Sequence, residues 1–208
     1  MQKYTSPGET TVAAEDNAVS AFISRAESHP DAPALAYRDG DKFVNVSTRE
    51  MLEKIEPLAA GLIAKGLDKG DRVAIFCGTR MEFTIAQYAV WMAGGVPVVI
   101  YETSAAEQVK WIMSDSGSRL IFIENEELQA TFESVAGDLP SYEESFIIDG
   151  GGLESLAEAA TEEGRRQVVG RIAGLAHDDL ALLIYTSGTT GMPKGCMLTH
   201  YNFIWDGR

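Results

Sequence analysis

From Val73 onward the chain alternates short, wholly apolar runs with longer stretches whose apolar residues recur every three or four positions. The runs are Val73-Ala74-Ile75-Phe76-Cys77, Val96 to Ile100, Leu120 to Ile123, Phe146-Ile147-Ile148 and Leu180 to Ile184. Each is bounded by turn residues and is short for a helix, which predicts buried strands. Between them, Glu82 to Met92, Ala105 to Met113 and Glu126 to Val135 carry helical spacing. Strands alternating with helices imply right-handed βαβ units, hence an α/β fold with a mostly parallel, doubly wound sheet. Runs that are apolar at every position fit strands covered by helices on both faces.

The pattern differs ahead of this alternation. Residues 1–17 are polar and read as an extended arm, and residues 18–208 as one large domain. Ala18 to Ser28 has Val19, Phe22, Ile23 and Ala26 at helical spacing, and His29-Pro30 ends it. Ala34 to Tyr37 and Phe43 to Val46 flank Asp39-Gly40-Asp41, the signature of a β-hairpin. Ser47-Thr48-Arg49-Glu50 is a capping-box pattern that opens an amphipathic stripe from Met51 to Ile63, with Gly66 as its stop. Pro57 lies inside that stripe, at a cost of about 3 kcal/mol or a kink, so a bend or a later helix start is expected. Residues 149–154 read as a glycine loop, and Leu156 to Ile172 as one long helix weakened by Gly164 and Gly170. His177-Asp178-Asp179 reads as a turn into the next strand rather than a metal cluster, and Thr199 as the N-cap of a final helix with His200 capping it or packing beside the site.

Candidate chemistry concentrates in Tyr185-Thr186-Ser187-Gly188-Thr189-Thr190-Gly191-Met192-Pro193-Lys194-Gly195, between the run Leu180 to Ile184 and Cys196-Met197-Leu198. Its glycines allow close backbone approach to a ligand, and successive N–H groups form anion-binding nests. Ser187, Thr189 and Thr190 add hydroxyls, Lys194 adds a positive charge, and no carboxylate is present. That is the chemistry of a phosphate cradle. It is not a Walker A loop, which needs Gly before the Lys and Ser or Thr after it; here Pro193 precedes Lys194 and Gly195 follows.

Tyr185 to Gly195 resembles the signature loop of the adenylate-forming superfamily, which holds acyl-CoA synthetases, luciferases and the adenylation domains of peptide synthetases. Met197-Leu198-Thr199-His200-Tyr201-Asn202 matches the pattern that follows the loop in acyl-CoA synthetases. Gly94 to Ile100 is similar to the superfamily's glycine-to-proline strand. Tyr101-Glu102-Thr103-Ser104-Ala105-Ala106-Glu107-Gln108 looks like bacterial long-chain fatty-acid–CoA ligases in particular, although the same residues also suit a plain loop and helix start with Ser104 as N-cap.

The resemblance implies activation of a fatty acid with ATP and Mg²⁺ to an acyl-adenylate and pyrophosphate, then displacement of AMP by coenzyme A. It implies that Thr186, Ser187, Gly188, Thr189, Thr190, Gly191 and Lys194 hold the ATP phosphates and that Thr186 also reaches the Mg²⁺. It further implies an N-terminal portion of a larger enzyme. The adenine, ribose and metal contacts and the catalytic lysine of the family lie downstream, so residues 1–208 alone are expected to be inactive. Two other readings stay open: an adenylation domain loading a carrier protein, and a non-catalytic nucleotide- or phosphate-binding module.

Composition narrows the partners. The 208 residues are 45% hydrophobic, enough for a real core, and the formal net charge is −14. Nucleic-acid binding normally needs a basic face, so no nucleic-acid partner is expected. The N-terminus has no signal-peptide core and no run approaches bilayer length, so a cytoplasmic chain with at most peripheral membrane contact is expected. Cys77 and Cys196 lie in apolar runs without metal-ligand or disulfide spacing and read as buried, inert thiols. The last strand is expected to lack neighbours and to leave apolar surface that favours self-association.

Overall fold

The computed structural model describes residues 12–13, 15–186 and 192–206. Most of the expected N-terminal arm lies outside them. Its last residue, Asn17, is buried and caps helix α1 (Ala18–Ser28), accepting from the Val19 and Ser20 backbone N–H groups while its amide donates to the Leu175 carbonyl. Strands β1 (Pro33–Asp39) and β2 (Lys42–Ser47) form the antiparallel hairpin, turning at Gly40 with φ of 57°. Helix α2 (Thr48–Ala64) starts at the capping box, in which Ser47 and Glu50 satisfy each other's backbone N–H groups. It runs through Pro57 from Thr48, so the later start is overturned. The cap fixes the first turn, and burial of Met51, Ile55, Leu58 and Leu62 offsets the missing proline N–H.

The main sheet contains β3 (Arg72–Phe76), β4 (Val96–Ile100), β5 (Leu120–Ile123), β6 (Glu144–Ile147), β7 (Leu180–Thr186) and β8 (Lys194–Thr199), in the order β6-β5-β3-β4-β7-β8. All neighbours are parallel except β7 and β8. Successive residues of β3 feed opposite cores: Val73, Ile75 and Cys77 pack on one side, Ala74 and Phe76 on the other. The first core lies under α2 with α3 (Met81–Met92), α6 (Gly152–Glu158) and α7 (Glu162–Ala173); the second under α4 (Ala106–Ser116) and α5 (Glu126–Ala136). This is the doubly wound arrangement expected from the wholly apolar runs. Pro97 is tolerated in central strand β4 because it precedes Val98, where β7 joins.

Several local expectations are corrected. The helix expected from Leu156 to Ile172 is two, α6 and α7, and α6 begins inside the expected glycine loop. Thr161 breaks them by capping α7 through the Gly164 N–H, and Gly164 is where α7 meets α2: an added Cβ would lie 2.7 Å from the Ala60 carbonyl oxygen. Helix α4 runs to Ser116, ended by Gly117 at φ 65°, and its N-cap is Ala105 with Gln108 reaching back, not Ser104. Strand β7 extends through Thr186, because Tyr185 and Thr186 pair with Gly195 and Lys194. The last strand is therefore not without neighbours: β8 pairs with β7 on one side, and its outer edge has no strand partner among the described residues. Cys196, on that edge strand, is exposed rather than buried. Cys77 is buried as expected, and its thiol is pushed up to about 12, first by burial and then by the Glu124 carboxylate.

Candidate functional site

Parallel α/β sheets bind ligands outside the carboxyl ends of their strands, where neighbouring connections leave in opposite directions. That condition is met between β4 and β7. They pair at Val98–Leu183 and Val99–Ile184, after which the chain leaves β4 through α4 toward β5 and leaves β7 the other way into β8. The crevice there holds about 400 Å³. One wall is Tyr101, Thr103 and Ser104, with Gln108 and Ile112 of α4; the other is Tyr185, Thr186 and Pro193. Among the described residues its side-chain polar groups are hydroxyls and one amide, with no carboxylate lining it.

The strand ends that flank the glycine-rich segment meet at this crevice, which Thr186 and Pro193 line. Thr186 and Lys194, the last residue of β7 and the first of β8, are cross-strand partners, and both are exposed. Ser187, Gly188, Thr189, Thr190 and Gly191 lie outside the described residues. The sites read from the sequence thus belong to one hairpin loop whose stems the structure places at the crevice.

The stems are held from below by α4. The Trp111 indole N–H donates to the Pro193 carbonyl at 2.8 Å, and the Tyr185 hydroxyl donates to the Asp115 carboxylate at 2.6 Å. Tyr185 is 4% exposed. Burial and then the Asp115 carboxylate hold its phenol well above the ordinary tyrosine range, so it remains a donor. Across the hairpin, Gly195 leaves room for the Tyr185 ring, since an added Cβ would lie 3.1 Å from its Cζ. Neither hydrogen bond is visible in the local sequence, because the partners lie 82 and 70 positions apart.

A second network was equally silent in the sequence. Arg80 lies 2.7 Å from Glu82, 2.8 Å from Asp149 and 3.7 Å from Glu124, and Glu124 accepts the Gly78 N–H at 2.7 Å. The hydrogen bond to Glu82 is the main cause that raises the Arg80 guanidinium above its usual range. This cluster ties together the chain leaving β3, β5 and β6, bracing the carboxyl edge of the sheet beside the crevice.

His200 is not beside the site. It follows β8, whose Thr199 pairs with Leu180 at the far end of β7 from the loop, roughly 20 Å away along the strand. Its ring is fully buried near Trp91; Nδ1 accepts the Ala18 N–H at 3.4 Å, and Nε2 has no partner among the described residues. Thr199 immediately precedes α8 (His200–Asp206), and its N–H and hydroxyl both donate to the Asn202 side chain, so its hydroxyl is a donor there and not the expected capping acceptor. Burial, aided by Lys69 and opposed by Asp179, lowers the His200 pKa to about 4. Between the ordinary value of about 6.5 and that value, the unfolded chain binds a proton that the folded chain refuses. Stability is therefore expected to fall as pH drops through this window, by about 3 kcal/mol when complete. Denaturant unfolding of wild type and His200→Phe at pH 7 and pH 4.5 checks this; an unchanged pH slope in the variant would refute it.

His177, Asp178 and Asp179 form the expected turn: the Asp179 N–H donates to the Ala176 carbonyl, and its carboxylate pairs with Lys69 at 2.8 Å. Among the described residues no group of three or more His, Cys, Asp or Glu side chains is placed to hold a metal ion. No described helix is long and apolar enough to cross a membrane.

Comparison with known proteins agrees with this architecture. Residues 22–208 match the family model described as "AMP-binding enzyme". The long-chain-fatty-acid–CoA ligase FadD15 of Mycobacterium bovis is 36% identical over 207 residues, covering 98% of this chain and 34% of that protein. The chain thus spans about a third of the length of such relatives. Among solved structures, the long-chain-fatty-acid–CoA ligase FadD1 of Archaeoglobus fulgidus superposes with a TM-score of 0.76 at 22% identity, over 96% of this chain and 40% of that one. A fatty acyl-CoA synthetase of Mycobacterium tuberculosis does so with a TM-score of 0.73 at 26% identity, over 88% and 34%. With nearly its whole length matched by that model, the chain belongs to the AMP-binding enzyme family.

Proposed function

We propose that this chain supplies the phosphate-gripping part of an ATP-dependent fatty-acid–CoA ligase. The observation that carries the reading is the pairing of Thr186 with Lys194 at a carboxyl-edge crevice whose described lining offers hydroxyls and an amide and no carboxylate. In the proposed reaction a carboxylate oxygen attacks the α-phosphorus of ATP, the bond to the bridging oxygen breaks, and pyrophosphate leaves. Thr186, Ser187, Gly188, Thr189, Thr190, Gly191 and Lys194 hold the β- and γ-phosphates, where charge grows as that bond breaks. Coenzyme A then displaces AMP from the acyl-adenylate. Mg²⁺ bound with the nucleotide neutralises phosphate charge. The donor set at the crevice suits an ion that arrives on phosphates and keeps its waters, with Thr186 as a protein oxygen near it.

The substrate class rests on the name of the Mycobacterium relative and on the Tyr101 to Gln108 segment, which forms the opposite wall. A fatty acid gains about 0.8 kcal/mol for each methylene buried, so preference rises with chain length until the acyl site is filled. The test is AMP release by the full-length protein with coenzyme A and acetate, octanoate, palmitate or amino acids. Palmitate is expected to exceed octanoate and octanoate to exceed acetate; a maximum at acetate or an amino acid would sink the fatty-acid reading. The isolated 208 residues are proposed to form no acyl-CoA and to self-associate along the open edge of β8, where Met197 is exposed.

A further inference from the structure

We propose that Trp111 and Asp115 are positioning residues: from one face of α4 they clasp the two stems of the phosphate loop and set where Thr186 and Lys194 stand relative to the nucleotide. The inference rests on the reading of residues 186–194 as a phosphate loop.

Four residues apart on a helix, the two side chains point the same way. Asp115 takes the β7 stem through the Tyr185 hydroxyl, one residue before Thr186. Trp111 takes the β8 stem through the Pro193 carbonyl, one residue before Lys194. The two proposed phosphate-binding residues described in the structure are thus each preceded by a residue tied to the same rigid helix. Thr186 and Lys194 must stand at set positions to meet the same phosphates, so a common fixed reference serves both. Helix α4 is suited to be one. It is anchored in the core through Val109, Ile112 and Met113, and its first turns line the opposite wall of the crevice through Gln108 and Ile112. Both walls of the crevice therefore refer to one element.

Neither hydrogen bond belongs to the β7–β8 ladder. Tyr185 is buried by its ring, and the β7–β8 ladder is made by the backbone. Asp115 itself is exposed, and Trp111 is half-buried. Their loss is expected to move the loop rather than unfold the chain.

The experiment uses the full-length protein, with Mg-ATP binding measured by titration calorimetry and melting temperature measured alongside. Trp111→Phe keeps the ring and removes the donor; Asp115→Ala removes the acceptor; Asp115→Asn keeps an acceptor oxygen without the charge. Trp111→Phe and Asp115→Ala are each expected to weaken Mg-ATP binding about two- to tenfold, as for a single hydrogen bond, with melting temperature nearly unchanged. Asp115→Asn is expected to recover most of the loss. In a Lys194→Ala background the clasp variants are expected to add little, because loop and clasp act as one unit. Wild-type affinity in both clasp variants, beside a clear loss in Lys194→Ala, would overturn the clasp and leave the phosphate loop standing. Wild-type affinity in Lys194→Ala, or no Mg-ATP binding by the unmutated protein, would overturn the phosphate-loop reading and the clasp with it. Losses that follow melting temperature and are not rescued by Asp115→Asn would make both residues merely structural.

Discussion

Lys194→Ala is expected to slow carboxylate-dependent ATP–pyrophosphate exchange by about tenfold to a thousandfold in the full-length protein. Lys194 opens β8 opposite Thr186, is exposed, and is the one cation in the segment from Tyr185 to Gly195. A strand end fixes its backbone, while the long side chain stays free to follow phosphate oxygens. Charge moves onto those oxygens as pyrophosphate leaves, so the ammonium contributes more in the transition state than in the bound ground state. The loss should therefore fall on turnover as well as on the KM for ATP. Lys194→Arg retains charge but changes its shape and is expected to recover only part of the rate. Exchange in Lys194→Ala at the unmutated rate would refute the assignment.

The second large effect concerns stability and turns on where a methyl group goes. Gly61→Ala in α2 is expected to destabilise the chain by about 1–3 kcal/mol. Gly170→Ala in α7 is expected to stabilise it by about 0.5–1 kcal/mol. Alanine is the better helix former at both positions by about 1 kcal/mol, so propensity alone predicts two gains. At Gly61 a Cβ would lie 2.1 Å from the Leu156 carbonyl oxygen and 2.9 Å from its carbonyl carbon, atoms of another helix's backbone that have no rotamer to escape into. At Gly170 nothing lies within 4 Å. The clash outweighs propensity only at the first. Urea unfolding of the two variants checks the opposite signs, and a more stable Gly61→Ala would show that α2 and α6 pack less closely than described.

The parts of the fold that were legible are those specified within a few residues. Ser47 and Glu50 write a helix start that the structure reproduces, and the wholly apolar Val73 to Phe76 and Leu120 to Ile123 become strands covered on both faces. Thr186 and Lys194 fall at facing strand ends beside the crevice because turn chemistry is local; the other proposed phosphate-binding residues, Ser187 to Gly191, lie outside the described structure. What stayed hidden depends on partners far along the chain. The break between α6 and α7 follows from Thr161 capping Gly164 and from the close approach of Gly164 to Ala60. Burial of His200 depends on the start of α1, 182 positions away. Cys196 has an apolar neighbourhood in sequence but stands on an edge strand, and periodicity does not say which strand is last in a sheet.

The antiparallel turn from β7 to β8 also decides where this chain tolerates a change of length. A pleated strand alternates its faces at every residue, so one residue gained or lost inside β8 would exchange the sides of Cys196 and Leu198 with those of Met197 and Thr199 and would shift α8 behind them. The same change between Thr186 and Lys194 leaves both strands in register, because their pairing closes the hairpin on either side of the segment. The register of the sheet is thus insensitive to the number of residues between the two stems.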